Sequence, residues 1–346
     1  MSPRSRAPGV VGAAVAICLI LGIVIASAPG PGLVDAAAST TGAVSQLSVI
    51  KEFQGARCNK CNIFPPDVQV AVGWSDVVEA TNTRIVMWAK DGALLKNVSL
   101  ADFFGITATV GLGDPRLTFD NTSQRWFASG FVSNKSSVLL AVSSKSDPTQ
   151  SWMVRSFNSS TTCPDQPLLG VNNDTVEISV NAYSHCPGYG RNFVGLEYWI
   201  INKSDLLSGV ATPHMWHYGP ERGFFSFHPV RALTPSNMSY MVTVGYNDSK
   251  QLLVSAVLGA PPNPKSWDSG WPTLPISPTR APPNATQLGS PSLVNTVDSR
   301  IQDAVFDRGM IWLAFNEACT PQNDTEVRSC IRIIGLQTHG TSRTST

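Results

Sequence analysis

Charge is scarce in this 346-residue chain. Lys, Arg, Asp and Glu supply 14% of it and the formal net charge is +1, where an ordinary soluble domain carries about 25% charged residues. No basic field exists to hold nucleic acid, and no acidic tract to store cations. The thin supply of Lys and Glu excludes coiled coils, long helical bundles and charge-driven disorder. Beyond Ala28 no apolar run is long enough to span a bilayer as a helix. Motifs for common chemistries are missing too: there is no G-x-S-x-G elbow, no P-loop and no H-E-x-x-H. His185, His214, His217 and His228 are scattered, and the i,i+3 pair His214–His217 alone does not make a metal site.

What is present begins at the N-terminus. Arg4 and Arg6 precede an apolar run from Val10 to Ala28, a positive segment followed by a hydrophobic one. Residues 1–36 read as a cleaved signal peptide or a retained membrane anchor, and either places the rest outside the cell membrane. Residues 37–45 form a small-residue linker, 46–337 the folded domain and 338–346 a disordered Thr/Ser-rich tail. Membrane contact is expected only through the N-terminal segment.

Two features agree with export. Outside the first segment there are six cysteines, Cys58, Cys61, Cys163, Cys186, Cys319 and Cys330. An even number in an exported chain points to disulfides, and local pairing in sequence order is the simplest of the 15 connectivities. A redox or half-zinc reading of Cys58-Asn-Lys-Cys61 lacks both the βαβ context and the second ligand pair. Sequons of the N-x-S/T type stand at Asn97, Asn121, Asn134, Asn158, Asn173, Asn202, Asn237, Asn247, Asn284 and Asn323. Chance at this Ser and Thr content gives roughly three or four, so N-glycosylation is expected.

Past the linker, short apolar runs alternate with turn residues and the helical period is almost absent. One unit recurs. Each copy opens on an acidic or proline-containing turn: Pro66-Asp67-Val68, Asp114-Pro115-Arg116, Asp165-Gln166-Pro167, His228-Pro229-Val230 and Gln302-Asp303-Ala304. A second strand follows at Val77–Ala80, Trp126–Ala128, Val176–Val180, Tyr240–Val244 and Ile311–Phe315, and a third at Ile85–Trp88, Val138–Val142, Tyr198–Ile201, Leu252–Val257 and Ile331–Ile334. Repeats of this kind predict an all-β chain, a β-propeller of about five visible blades, or six if the last is cut short. The run Leu47–Phe53 is expected to be the missing strand of the last blade and to close the ring, because open sheet edges invite aggregation.

The runs Gly113-Asp-Pro-Arg-Leu-Thr-Phe-Asp120, Arg125-Trp-Phe-Ala128, Leu140-Ala-Val-Ser143, Ser146-Asp-Pro-Thr-Gln-Ser-Trp152, Asp165-Gln-Pro-Leu-Leu-Gly170 and Tyr198-Trp-Ile-Ile-Asn-Lys203 resemble secreted β-propellers of the sialidase-like, BNR-repeat type. The resemblance covers roughly Pro65 to Phe315. It implies a structural role for the Asp147-to-Trp152 turn, which keeps the Asp-to-Trp spacing of an Asp-box without its usual Gly. For an enzyme it implies an arginine cluster beside a carboxylate pair or a Glu–Tyr pair. Arg116, Arg231 and Arg300 lie near repeat starts, and Glu79, Glu177, Glu197 and Tyr198 on or beside strands. The Arg-Ile-Pro signature of such enzymes is missing, so no catalytic residue is assigned.

Asp67, Asp114, Asp165 and Asp303 recur at repeat starts, where a propeller has its channel mouth. Converging there, they would suit Ca²⁺; separately, each caps its own turn. Trp199, Trp216, Trp267, Trp271 and Tyr189 would serve either as a sugar-stacking platform or as packing between blades. The expected function is therefore binding of an extracellular glycan, peptide or envelope partner at the mouth. The alternative that the resemblance implies is a sialidase-like glycoside hydrolase or a lyase.

Overall fold

A computed structural model describes residues 48–57, 63, 65–107, 111–133, 136–159, 163–185, 192–245, 249–263, 266–267 and 272–338. The expected signal or anchor and linker lie outside the described residues, as does the tail beyond Thr338. Among the described residues no helix is long and apolar enough to cross a membrane. The propeller occupies the second of two units, residues 51–346.

Five sheets make the five blades. Blade one is β1 (Gln69–Val72), β2 (Asp76–Ala80), β3 (Arg84–Ala89) and β4 (Leu94–Ser99), followed by the short helix α1 (Leu100–Phe104). Blade two is β5 (Leu112–Asp120), β6 (Arg125–Val132), β7 (Ser137–Ser143) and β8 (Trp152–Asn158). Blade three is β9 (Cys163–Val171), β10 (Thr175–Tyr183) and β11 (Phe193–Asn202), then α2 (Lys203–Ser208) and β12 (Met215–Glu221). Blade four joins β13 (His228–Pro229), β15 (Met238–Val244) and β16 (Gln251–Leu258), with β17 (Ser266–Trp267) and β18 (Thr273–Pro275) both on β16; β14 (Arg231–Ala232) continues its inner strand. A hairpin, β19 (Ala285–Gln287) and β20 (Ser290–Val294), lies in a Pro-rich stretch, residues 272–299, before β21 (Ile301–Asp307), β22 (Met310–Cys319) and β23 (Arg328–Gln337) of blade five. Every expected second and third strand falls inside an observed one.

The blades are antiparallel meanders, and their apolar faces meet in pairs. Ile85, Met87, Trp126 and Leu139 fill the seam between blades one and two. Phe127, Leu140, Ile178 and Trp199 fill the next, Tyr198, Ile200, Phe227 and Met241 the third, and Val242, Leu252, Leu313 and Phe315 the fourth. A strand such as β7, covered on both faces, is buried at every position and reads as a continuous apolar run. Trp312, Ile331 and Ile333 of blade five are exposed, as are Val70 and Val72 of β1.

Ring closure differs from the sequence expectation. Ser48–Phe53 is exposed coil with no strand pairing, and Leu47 lies outside the described residues. The fourth strand of blade five comes instead from blade four: β14 runs parallel to β21, pairing Arg231 with Val305 and Ala232 with Phe306. The stretch 228–232 hydrogen-bonds first with β15 of its own blade and then with β21 of the next. One continuous inner strand thus satisfies two sheet edges.

One expected disulfide is formed, Cys319–Cys330, across the loop between β22 and β23. Cys163 is disulfide-bonded; Cys186, its expected partner, lies outside the described residues, as do Cys58 and Cys61. The Asp147 turn is structural: its carboxylate accepts from Thr149 N–H at 2.9 Å and Thr149 hydroxyl at 2.7 Å, while Trp152 Nε1 donates to Pro148 O at 2.8 Å. Six sequon asparagines are exposed: Asn97, Asn121, Asn158, Asn237, Asn284 and Asn323. Asn173 and Asn202 are half-buried, and Asn134 and Asn247 lie outside the described residues. Asn202 is engaged on both side-chain atoms: Oδ1 accepts from Asp205 N–H to cap α2, and Nδ2 donates to Pro261 O at 2.8 Å.

Candidate functional site at the channel mouth

The inner strand of each blade starts at the same end of the propeller, and its start is deformed. In blade two, Gly113 pairs with Phe131 and Arg116 with Ser129, so one extra residue is held in a bulge around Asp114-Pro115. In blade three the bulge holds Gln166-Pro167, between the pairs Leu168–Ser179 and Asp165–Asn181. Blade five bulges at Gln302. Proline, lacking an N–H, suits a place where the ladder is already broken. Asp67, Asp114, Gln166 and Ser226 take left-handed backbone conformations, with φ of 33°, 49°, 52° and 49°. Such a conformation is uncommon outside glycine, is easiest for Asn and Asp, and clusters at functional sites when something over-determines it.

Two asparagines do that. Asn82 Nδ2 donates to Asp67 Oδ2 at 2.7 Å, and its Oδ1 accepts the Asp114 N–H at 2.7 Å. Asn181 repeats the arrangement two blades on: Nδ2 donates to Gln166 Oε1 at 3.1 Å and Oδ1 accepts the Ser226 N–H at 2.8 Å. Each asparagine stands 15 residues after the left-handed residue that it holds. Asp114 Oδ2 accepts from Gln166 N–H at 3.2 Å, joining the two clamps. Arg300 closes the network from blade five, donating to Gln166 Oε1 while Asp298 grips it through both carboxylate oxygens at 2.7 and 2.8 Å.

A cavity of about 350 Å³ lies within this ring, lined by Asp67, Asp114, Asp165, Gln166, Arg116 and Arg300 among others. Deeper, a second of about 200 Å³ is lined by Arg116, His228, Arg231, Gln302 and Asp303. Arg116 and Gln302 line both. Burial in the channel wall, with Asp165 and Asp67 beside it and an Asp67 hydrogen bond, pushes the Asp114 carboxyl up to about 7. Burial lowers the Arg116 guanidinium against the pull of Asp114, Asp303 and Asp67. Burial likewise lowers His228 to about 4, so it is neutral at physiological pH.

The expected convergence is thus met in part. Asp67, Asp114 and Asp165 share the outer cavity with Arg116 and Arg300; Asp303 sits in the inner one, paired with Arg231 at 2.7 Å. The shared Ca²⁺ site is not formed: among the described residues no three His, Cys, Asp or Glu groups are placed to hold a metal. Arg116 and Arg300 line the same cavity and oppose a bound cation, and burial favours the protonated form of Asp114. In blade three the residue equivalent to Asp67 and Asp114 by backbone conformation is Gln166, one position after Asp165.

Other singled-out side chains belong to the blades. Glu197 and Tyr198, on the third strand β11, stay away from both cavities: Glu197 accepts from the Ser159 hydroxyl, and Tyr198 stacks on Tyr218. Glu177 is buried and accepts from Ser239 and Thr175, and burial raises its carboxyl. Glu79 accepts the Ala56 N–H. Trp199 is core and stacks on His217 with the rings 4.6 Å apart, and Trp216 packs in the third seam, so no aromatic platform forms from them. The side chains of Trp267, Trp271 and Tyr189 lie outside the described residues. His214 turns to Asp205 at 2.7 Å, away from His217's ring stack.

No protein-family model matches the chain, and no curated protein matches its sequence. Solved structures do match. A subtype N11 neuraminidase-like protein of A/flat-faced bat/Peru/033/2010 (H18N11) is 10% identical, with a TM-score of 0.41 over 78% of this chain and 73% of that one. A GH43_1 enzyme from Xanthomonas citri is 8% identical, with a TM-score of 0.38 over 80% and 89%. The GH43 endo-arabinanase from Bacillus licheniformis is 11% identical, with a TM-score of 0.36 over 79% and 95%.

Proposed function

We propose that this protein is an exported, N-glycosylated β-propeller that binds a carbohydrate at its channel mouth. The observation that carries the reading is the outer cavity itself. Three carboxyl groups, Asp67, Asp114 and Asp165, face donors from Arg116 and Arg300 in about 350 Å³. Carboxylates accept from hydroxyls while guanidinium groups donate to them, so the lining suits a ligand rich in hydroxyls whose oxygens both give and take hydrogen bonds. The cavity lies near the lower end of the usual small-molecule range, about 300–1,000 Å³, and takes a sugar unit or two. The N-terminal charge pattern, the Cys319–Cys330 bridge and the six exposed sequons support an extracellular setting.

A second reading, cleavage of the bound glycoside, is favoured by one observation. Asp114 is held as a proton donor up to about 7 while charged groups surround it, and pairs of carboxyl groups driven apart in this way mark acid and base roles. Asp165 and Asp67 both act on the Asp114 carboxyl through their charge, Asp165 the more strongly, and both line the cavity with it. In this reading the second carboxylate is one of these two, and the separation between it and Asp114 sets the stereochemical outcome. A glycan array probed with the exported domain tests binding, and product analysis on the glycans retained tests cleavage. Binding lost in Asp114→Ala and Arg116→Ala supports the site; binding unchanged in both places the ligand elsewhere.

A further inference from the structure

A third cavity, of about 340 Å³, lies on the face of blade one that points away from blade two. The period of two along β3 puts Arg84, Val86 and Trp88 on that one face. All three line the cavity, with Leu94 and Asn97 from β4 and with Gln54 to Arg57 folded across as a cover. The cover is anchored: Ala56 N–H donates to Glu79 Oε2 at 2.7 Å, and the Phe53 ring lies 5.7 Å from Trp88.

Arg84 Nε and Trp88 Nε1 are both buried, and neither has an acceptor among the described residues. Buried N–H groups are nearly always paired, so two orphans in one cavity wall need an explanation. The nearby acid does not supply one, because Glu79 is taken by the cover and forms no ion pair with Arg84. Arg57 also lines the cavity and adds a second positive charge there. An acceptor that answers a guanidinium N–H and an indole N–H together, next to another cation, is a carboxylate. The remaining wall, Val86, Leu94 and the Trp88 ring, is apolar and suits a compact body attached to it.

We infer that this cavity binds a small organic carboxylate, held by Arg84 Nε and Trp88 Nε1 with Arg57 also in the lining, on a body no larger than one sugar ring or one amino-acid residue. The site is separate from the channel mouth, and the inference does not depend on the carbohydrate reading of that mouth. Two sources share this chemistry, an acidic sugar and a peptide C-terminus, and the probes separate them.

The test is an NMR titration of the full exported chain, following the tryptophan indole N–H signals, with the Trp88 signal assigned by Trp88→Phe. Glucuronate and N-acetyl-alanine are the two carboxylate probes; glucose and N-acetyl-alanine amide are their uncharged counterparts. One or both carboxylates should shift the Trp88 indole signal saturably, and the neutral counterparts should leave it in place. Arg84→Gln should weaken the binding at least tenfold. Arg84→Lys, which keeps the charge and loses Nε, should weaken it too, so loss of charge is separated from loss of the donor; unchanged melting shows that both variants fold. The inference is overturned if neither carboxylate moves the Trp88 signal, if neutral probes move it equally, or if folded Arg84→Gln binds as the native chain does.

Discussion

Asn82 carries more of the mouth than any of the acids it holds. Its amide bridges two blades, donating to Asp67 and accepting from the Asp114 backbone at 2.7 Å each. Asn82→Ala removes both bonds, together with a third from Nδ2 to Pro65 O at 2.9 Å, and releases two left-handed residues together. Each net hydrogen bond contributes about 0.5–1.5 kcal/mol, so chemical denaturation should show a loss of about 1.5–4.5 kcal/mol for the three, together with weaker glycan retention. Asn82→Asp would keep the acceptor but place a carboxylate against Asp67, and should be worse for binding than for folding. The acids were legible in the sequence because Asp-containing turns recur at repeat starts. Asn82, Gln166 and Asn181 were not, because their roles depend on a bulge of one residue that composition does not reveal. The constant 15-residue offset from Asp67 to Asn82 and from Gln166 to Asn181 was the one available signal. Sialidase-like resemblance pointed to Glu197 and Tyr198, but strand order decides their place: a third strand lies away from the channel.

At the scale of elements, alternation and turn chemistry located every second and third strand of the five blades. What they missed was the edge partner of blade five, since two-residue β14 leaves no pattern of its own and is defined only by pairing with β21. The Cys319–Cys330 bridge closes the loop between β22 and β23. In the chain-entropy model a loop of about this size gains roughly 3 kcal/mol, so the Cys319→Ser, Cys330→Ser double variant should melt several degrees lower. Helix α2 yields a different prediction. Asn202 is a sequon but also the cap of α2, and its Nδ2 is spent on Pro261 O. A glycan needs that nitrogen. Mass spectrometry of the exported protein should find Asn97, Asn121, Asn158, Asn237, Asn284 and Asn323 occupied and Asn202 bare; a fully occupied Asn202 would mean that α2 forms without its cap.

The whole molecule is tied together at the channel, where inner strands of all five blades contribute to the two cavities. Two groups there titrate in opposite senses. Asp114 rises from 3.8 to about 7 on folding, chiefly through burial. The folded state therefore holds a proton that the unfolded chain has already released, and this contribution is complete below about pH 4 and disappears as pH rises through 7. His228 falls from 6.5 to about 4, again through burial. Here the unfolded chain takes the proton first, so the contribution is complete above about pH 6.5 and disappears as pH falls through 4. Between pH 4 and 6.5 the two slopes oppose each other, so the joint contribution of Asp114 and His228 to stability is shallow across that range. Substitution separates them. Asp114→Asn removes the falling slope and should leave a stability that climbs from pH 4 to 6.5; His228→Gln should leave one that declines from pH 4 to 7. Urea midpoints across this range check both, and parallel profiles for native protein and Asp114→Asn would show that Asp114 ionises as freely in the folded channel as in the unfolded chain.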